Sequence, residues 1–474
     1  MKNKKKLIAV CAVAIIAIII IVLLLFTFFF AGDKEPSLDE IIENRVIAYE
    51  TDFLDSTSQM TNQSTVTKYL VNWAENKGID VKKDKNSNII YSFSATEGLE
   101  DRNPVVILCG YDYSCIQSYK NSIVCALTVA KNDKPHGEYK IIFVSEENGD
   151  SSAVDKLSSD YFTENTQIIY LGNDSTSKIA NVTGAVSEYE FTRDISMVEP
   201  SYDKAFKVTI SGMPAEKITE KTASYPNPIK QLGNLLATFK SKSVLFELAD
   251  FNGGSLESAA TVTEASITIV VNEDSKTKVM TRLDNAIESF NDKYSDKYPQ
   301  ATYTYEEVEM PARVFTTDDT ESLVSLIYTA PNGKYDNEDE SSTDAAFTSI
   351  RFISSVNQKI KIKFMAGSSS EALLNEITEA YQTICSLTDI NFAQTLTNPS
   401  YNVNKQGQDL AIKFTESYKK FKTTDLPVET IPEYSMCSLV SQKYPELPLI
   451  AAYVTNKTAD NFAGGLIVHL GYEE

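Results

Sequence analysis

Two short stretches hold the residue types with which an α/β enzyme could do chemistry. One is Gly110-Tyr111-Asp112-Tyr113; the other is Ser145-Glu146-Glu147-Asn148-Gly149. Paired carboxylates of this kind serve as general bases or as metal ligands. Asp112, Cys115, Glu147 and Asp174 together could offer carboxylate and thiolate ligands, although their spacing matches no established metal pattern. A nucleophilic cysteine at position 109, 115 or 125 needs an imidazole partner, and the whole chain has only His136 and His469. A phosphate-cradling glycine loop and a Ser-His-Asp constellation are both absent from the sequence. Tyr111, Tyr113 and Tyr119 could line a cleft that takes a flat ligand or a peptide. With 25 tyrosines in the chain, ordinary packing is the competing account of all three.

The elements that position these residues are legible. Apolar, β-branched runs from Pro104 to Cys109 and from Tyr139 to Val144 predict buried parallel strands, and the segment from Asn121 to Ala130 predicts the helix between them. Both candidate stretches then fall at the carboxyl ends of strands, where α/β folds bind ligands. Helices are predicted from Leu38 to Phe53 and from Ser64 to Asn76, the second closed by Gly78. Further strands are predicted from Asn88 to Phe93 and from Gln167 to Leu171. Strands alternating with helices predict an α/β fold: a mostly parallel mixed sheet with helices on both faces.

From about Val186 the texture changes to alternating segments and amphipathic helices, an α+β insert. The first fold resumes with a helix from Gly407 to Phe421, a strand from Pro427 to Ile431, a helix from Ser435 to Gln442 and an apolar run from Leu447 to Val454. A C-terminal strand is expected through His469. The expected domains are 1–32, a basic tip and anchor; 33–185, the first part of the α/β domain; 186–401, the insert; and 402–474, the second part. The acidic loop Asp336-Asn337-Glu338-Asp339-Glu340 lacks the glycine and the distal glutamate of a calcium-binding loop and reads as solvated surface.

Hydrophobic residues make up 42% of the 474-residue chain and charged ones 23%, which excludes a disordered chain. The formal charge is −21; residues 1–32 hold four lysines and no acids, leaving 40 basic against 65 acidic residues, a balance of −25. So acidic a body argues against a nucleic-acid partner. From Leu7 to Ala31 the chain is apolar except for Thr27, long enough to cross a hydrocarbon core of about 30 Å. Lys2, Lys4, Lys5 and Lys6 precede it, so the expectation is a single-pass cell-membrane anchor with a cytoplasmic N-terminus and an extracellular bulk. Outside the anchor lie five cysteines, an odd number that reads mostly as buried thiols; a Cys109–Cys115 bridge is an open alternative, with no sequence feature supporting it.

Several words taken together resemble one family. They are Lys68-Tyr69-Leu70-Val71-Asn72-Trp73-Ala74, Lys77-Gly78-Ile79-Asp80-Val81, Asn103-Pro104-Val105-Val106-Ile107-Leu108, Pro135-His136-Gly137, Ser145-Glu146-Glu147-Asn148-Gly149, Ala330-Pro331-Asn332-Gly333 and Ser441-Gln442-Lys443-Tyr444-Pro445. In order and spacing they are similar to the aminoacyl-histidine dipeptidases, also called cytosol non-specific dipeptidases, which are di-zinc metallopeptidases. The resemblance covers nearly all of the chain after the apolar run. It implies a catalytic α/β domain interrupted by a lid, and a homodimer through that lid.

The resemblance also implies which positions should hold the metals. The ligand histidine and its supporting aspartate correspond to Tyr111 and Tyr113, with Asp112 available only by a one-residue shift. The bridging aspartate corresponds to Lys120, which would put a positive charge where the bridging anion sits. Glu146 corresponds to the general base and Glu147 to a ligand; the next ligand corresponds to Gly172, two residues before Asp174. A histidine and a glutamate near the C-terminus correspond to Pro432 and Met436, and the last ligand histidine to Asp460. The expected outcome is a pseudopeptidase without a cofactor that binds a peptide, a wall component or an envelope protein. The alternative is a residual metal-dependent hydrolase with Glu146 as base and zinc held by an altered set including Glu147, Asp112 or Asp174.

Overall fold

The computed structural model describes residues 36–335 and 344–473. The expected anchor and the acidic loop at 336–340 lie outside the described residues. Among the described residues no helix is long and apolar enough to cross a membrane. By contacts the chain divides into Met1–Arg45 and Val46–Glu474, and among the described residues all strands belong to the second unit.

Helix α1 covers Leu38–Thr57 and α2 covers Gln63–Asn76. The start of α2 is fixed by a reciprocal cap between Asn62 and Thr65. At its end the backbone turns through Gly78, whose φ of +69° suits a residue without a Cβ. Strands β1 (Asp80–Lys83), β2 (Ile89–Phe93), β3 (Val105–Tyr111), β4 (Tyr139–Ser145), β5 (Gln167–Asn173), β6 (Lys178–Asp194), β7 (Val428–Tyr434) and β8 (Leu449–Val454) build one sheet in the order β1-β2-β4-β3-β5-β8-β6-β7. The pairs β3–β4, β3–β5 and β5–β8 are parallel, as is β6–β7, while β1–β2, β2–β4 and β6–β8 are antiparallel. The sheet is therefore mixed, parallel in its centre. All seven residues of β3 are buried, each fully buried aliphatic side chain contributing roughly 1.5–3 kcal/mol. Helix α3 (Lys120–Ala130) connects β3 to β4 and is buried along nearly its whole length.

Strand β6 is 17 residues long and was not anticipated as one element. Its first part lies between β8 and β7; from residue 185 it pairs with Lys359–Ser368 on one side, and from residue 186 with Asn391–Asn398 on the other. The change of texture at Val186 thus falls inside a continuous strand. Through those pairings a second, antiparallel sheet is added, with Ala346–Ser354, Glu247–Gly254, Ala265–Val271, Lys204–Ser211 and Thr302–Val308 following in order. Its apolar side packs against Pro228–Ser241, Thr317–Thr329 and Glu371–Thr388 in one large core.

Two expectations need correction. The segment through His469 is helical, not extended: helix α5 spans Ala459–Leu470 and packs on α4 (Lys405–Phe421). Gly464 and Gly465 make this possible, because a Cβ at 464 would lie 2.2 Å from the Phe421 ring and one at 465 would lie 3.1 Å from the Tyr418 Cα. A five-residue apolar run has too little periodicity to tell a strand from a buried helix. The Cys109–Cys115 bridge is also absent: Cys109, Cys115, Cys125, Cys385 and Cys437 are all free and buried.

Candidate functional site

The carboxyl ends of β5, β7 and β8 and the turn that follows β3 meet the segment that follows Lys204–Ser211. Between them lies a cavity of about 210 Å³. Its walls include Tyr119, Asn121, Tyr170, Asp174, Lys217, Glu433, Tyr434 and Tyr453. Of the three tyrosines expected to line a cleft, only Tyr119 does so.

Tyr111 turns the other way. Its phenol donates to the Ser87 carbonyl at 2.6 Å and lies 2.8 Å from the Thr67 hydroxyl of α2. Burial pushes that phenol up to about 12, so it is not available as a phenolate ligand. The Tyr113 ring is half-buried, and its backbone N–H donates to Gln63. Gln63, which no sequence signal singled out, holds both loops: its amide donates to the Tyr111 carbonyl at 3.0 Å and to the Ser145 hydroxyl at 2.7 Å.

Asp112 is fully buried and engaged in the backbone, accepting from Ser114 N at 2.8 Å and from Gly149 N at 3.3 Å. It ties the loop after β3 to the loop after β4. Burial raises its carboxyl above the ordinary range, and the nearby charge of Glu146 adds to this. Glu146 is 2% exposed and lies across Gly110, where a Cβ would sit 2.3 Å from its Oε2. Its Oε1 accepts from the Ser151 hydroxyl at 2.6 Å, and its Oε2 is 3.4 Å from Lys217 Nζ. Glu147 is exposed. Lys217 also stands over the Tyr119 ring at 5.1 Å, and its backbone N–H donates to Ser118.

Lys120 does not point into the cavity. Its ammonium pairs with Glu50 of α1 and donates to Asn456 Oδ1 at 3.2 Å. The cation that pairs with Glu146 is therefore Lys217, 71 residues away in the chain and invisible to local motif reading. Asp174 sits on the cavity wall and pairs with Lys178 at 3.1 Å. Gly172 is covered by an aromatic ring, a Cβ there falling 2.6 Å from Tyr453 Cε1. Pro432 contributes its carbonyl, which packs against Gly184 and Gly367; Met436 lies wholly in the core. Asp460 is on the first turn of α5.

Glu433 is the perturbed carboxyl of the cavity. Burial raises it to about 7, the Asp174 and Glu220 charges adding to the effect and the Glu220 N–H opposing it. Sequence reasoning missed it because nothing in Ile431-Pro432-Glu433-Tyr434 distinguishes an inward glutamate from a solvated one.

The fold defines a class: an α/β scaffold like that of a solved dipeptidase. The Aminoacylhistidine Dipeptidase from Vibrio alginolyticus superposes with a TM-score of 0.56 at 16% identity, over 86% of this chain and 92% of that one. Human carnosine dipeptidase 1 gives a TM-score of 0.45 at 12% identity, over 92% and 98% of the two chains. In sequence, the chain is 24% identical over 315 residues to the Cytosol non-specific dipeptidase of Escherichia coli (strain K12). That match covers 59% of this chain, and the chain spans 64% of the length of that relative. The chain is thus similar in fold, and over part of its sequence, to the cytosol non-specific dipeptidases. No protein-family model matches it.

The di-zinc centre implied by the resemblance can be tested against these residues. Such a centre needs imidazoles and a bridging carboxylate converging on two ions. Here a tyrosine ring covers Gly172, Tyr111 is turned to α2, Glu146 is paired with Lys217, and Asp112 is consumed by backbone N–H groups. Among the described residues, no group of three or more His, Cys, Asp or Glu could hold a metal ion. The residues do not fit a di-zinc centre.

Proposed function

We propose that this chain is a membrane-anchored, extracytoplasmic pseudopeptidase, which keeps a dipeptidase-like fold and binds its ligand in the old substrate cleft without hydrolysing it. The observation that carries this reading is the Lys217–Glu146 pair. The carboxylate best placed to activate a water is instead neutralised by an ammonium 3.4 Å away. A general base must reach the water it deprotonates, and this one is bonded to Ser151 and Lys217. A peptide, a wall component or an envelope protein remains the ligand class that an outward-facing, anchored domain would meet. The anchor itself rests on the apolar run from Leu7 to Ala31 and the lysines before it.

The homology to an E. coli dipeptidase supports a second reading, a residual hydrolase with Glu146 as base. One experiment separates the two. The purified full-length chain in detergent is assayed for metal by elemental analysis and for dipeptide hydrolysis with added zinc, manganese or cobalt. The pseudopeptidase reading expects substoichiometric metal and no turnover. Turnover that disappears in Glu146→Gln establishes the second reading and overturns the first.

A further inference from the structure

A second cavity, of about 340 Å³, lies at the other end of the strands, where β3, β4 and β5 begin. Three cations line it and are open to solvent: Arg102 from the turn before β3, and Lys413 and Lys420 of α4. The two lysines are seven residues apart, which puts them on one face of the helix. Among the described residues none of the three makes an ion pair, although acids outnumber bases 65 to 44 in the chain. Two carboxylates share the wall: Glu138 pairs with Lys140, and Glu416 is exposed and has no ion pair among the described residues. Asp101, Asp409 and Glu473, the other acids near these cations in sequence, are exposed and outside the lining. Arg102 lies across two residues that lack side chains. A Cβ on Gly137 would fall 3.0 Å from Arg102 Cβ, and one on Gly471 would fall 3.2 Å from its Nη1. His469 completes the wall, with Nε2 2.7 Å from Gln167 Oε1. Burial, and after it the charges of Arg102 and Lys413, push that ring down to about 4, so the two cations act on one spot.

We propose that this cavity binds a small tetrahedral dianion, a phosphate or sulfate group, independently of what the cleft at the opposite strand ends does. A guanidinium offers two parallel N–H donors to such an oxyanion, and the ammonium groups add point charges. Asn103, also on the wall, adds a neutral amide donor. With Glu138 matched by Lys140, three cations against the one unmatched carboxylate of Glu416 leave an excess of two positive charges, which a dianion neutralises. Like charges held around one cavity repel one another, and the bound anion removes that repulsion. A large polyanion or an anionic membrane is disfavoured, because the rest of so acidic a chain repels it, whereas a small anion diffuses to the one positive cavity. The volume falls in the range of roughly 300–1,000 Å³ for small-molecule sites, so a small organic group on the phosphate also fits.

The test is calorimetric titration of the full-length chain in detergent with sodium sulfate and with sodium phosphate at neutral pH, ionic strength being held constant with sodium chloride. Saturable binding of both is expected, with a Kd of roughly 0.1–1 mM. Glycerol 3-phosphate in a third titration separates the two sources of the group: tighter binding than phosphate assigns the site to a phosphate ester, equal or weaker binding to the free ion. Arg102→Met and Lys413→Met should each weaken sulfate about tenfold, and Arg102→Lys, which keeps the charge and loses the fork, should weaken it less. Lys419→Met is the control. It lies on the same helix, outside the lining and paired with Asp425, and should bind sulfate as the unmodified chain does. Taking one charge out of a cluster of like charges should not lower the thermal midpoint measured without sulfate, so weaker binding in Lys413→Met is not a folding defect. No saturable binding of either anion, or a loss in Lys419→Met equal to that in Lys413→Met, overturns the proposal.

Discussion

The two ends of the parallel strands carry different ionisable groups. At the amino ends sit both imidazoles of the chain. His136 precedes β4, with Nδ1 2.9 Å from the Gly137 carbonyl, and His469 contacts Gln167, the first residue of β5, through Nε2 at 2.7 Å. At the carboxyl ends sit Asp112, Glu146 and Asp174. A seven-residue strand spans roughly 20 Å, far beyond the reach of a side chain. Imidazole and carboxylate are both present, one strand length apart. The two imidazoles and these three carboxylates therefore cannot meet at one site in this fold.

The comparison is sharpest where the carboxyl end depends on a single contact from the insert. Lys217→Met would leave Glu146, 2% exposed, with the Ser151 hydroxyl but no cation. Removing one member of a buried pair costs about 3–5 kcal/mol; Lys217 is itself 31% exposed, so about 2–3 kcal/mol is expected. Glu146→Gln should cost less, about 1 kcal/mol, because the amide oxygen can still accept from Ser151 and the ammonium left without a partner, on the 31% exposed Lys217, can be solvated. Denaturant unfolding of the two variants checks the order. Equal losses would mean that Lys217 does not neutralise Glu146, and the cleft would have to be redrawn.

Titration should move the two ends in opposite directions. Burial lowers His469 from 6.5 to about 4, helped by the charges of Arg102 and Lys413. The unfolded chain takes up that proton first, so this contribution to stability is complete above pH 6.5 and is lost as pH falls toward 4. At about 1.4 kcal/mol per unit, and with the ring only half-buried, about 2 kcal/mol is expected, and His469→Gln should flatten this window. Glu433 works the other way. Raised to about 7, its contribution is present below pH 4.5 and is lost between 4.5 and 7, about 1–2 kcal/mol for a half-buried group, and Glu433→Gln should remove it. Stability profiles of the two variants against the unmodified chain, from pH 4 to 8, read both windows. If both variants shift the profile in the same direction, the contrast between the ends fails.

The centre of the fold was readable because its strands are continuous apolar runs: β3 was expected from 104 to 109 and is Val105–Tyr111, and β4 was expected from 139 to 144 and is Tyr139–Ser145. Strand β6 was not readable, since charges alternate along Ser187-Glu188-Tyr189-Glu190-Phe191 and the change of texture there looks like a boundary. The site divided along the same line. Local words located Glu146 and its loop, but the direction of a side chain is tertiary information. Lys120 was expected in the cleft and pairs with Glu50, while Lys217, from a segment with no motif, is the cation paired with Glu146.

The smallest effect concerns Tyr111, which stands at the carboxyl end of β3 without belonging to the cleft. Its phenol joins the Ser87 carbonyl and the Thr67 hydroxyl, so Tyr111→Phe should cost about 1 kcal/mol through lost hydrogen bonding. It should leave ligand binding untouched, because the ring does not line the cavity. Tyr111→His restores the residue type that the resemblance implies for a metal ligand, and it tests whether residue type or direction decides. A histidine here would still project toward α2, with Glu146 held by Lys217 on the other side of Gly110. Equilibrium dialysis against zinc should therefore give the same uptake for Tyr111→His as for the unmodified chain. Stoichiometric zinc in that single variant would mean that the carboxyl end needs only one imidazole to become a metal site, and that the separation of the two ends is the only thing keeping it from being one.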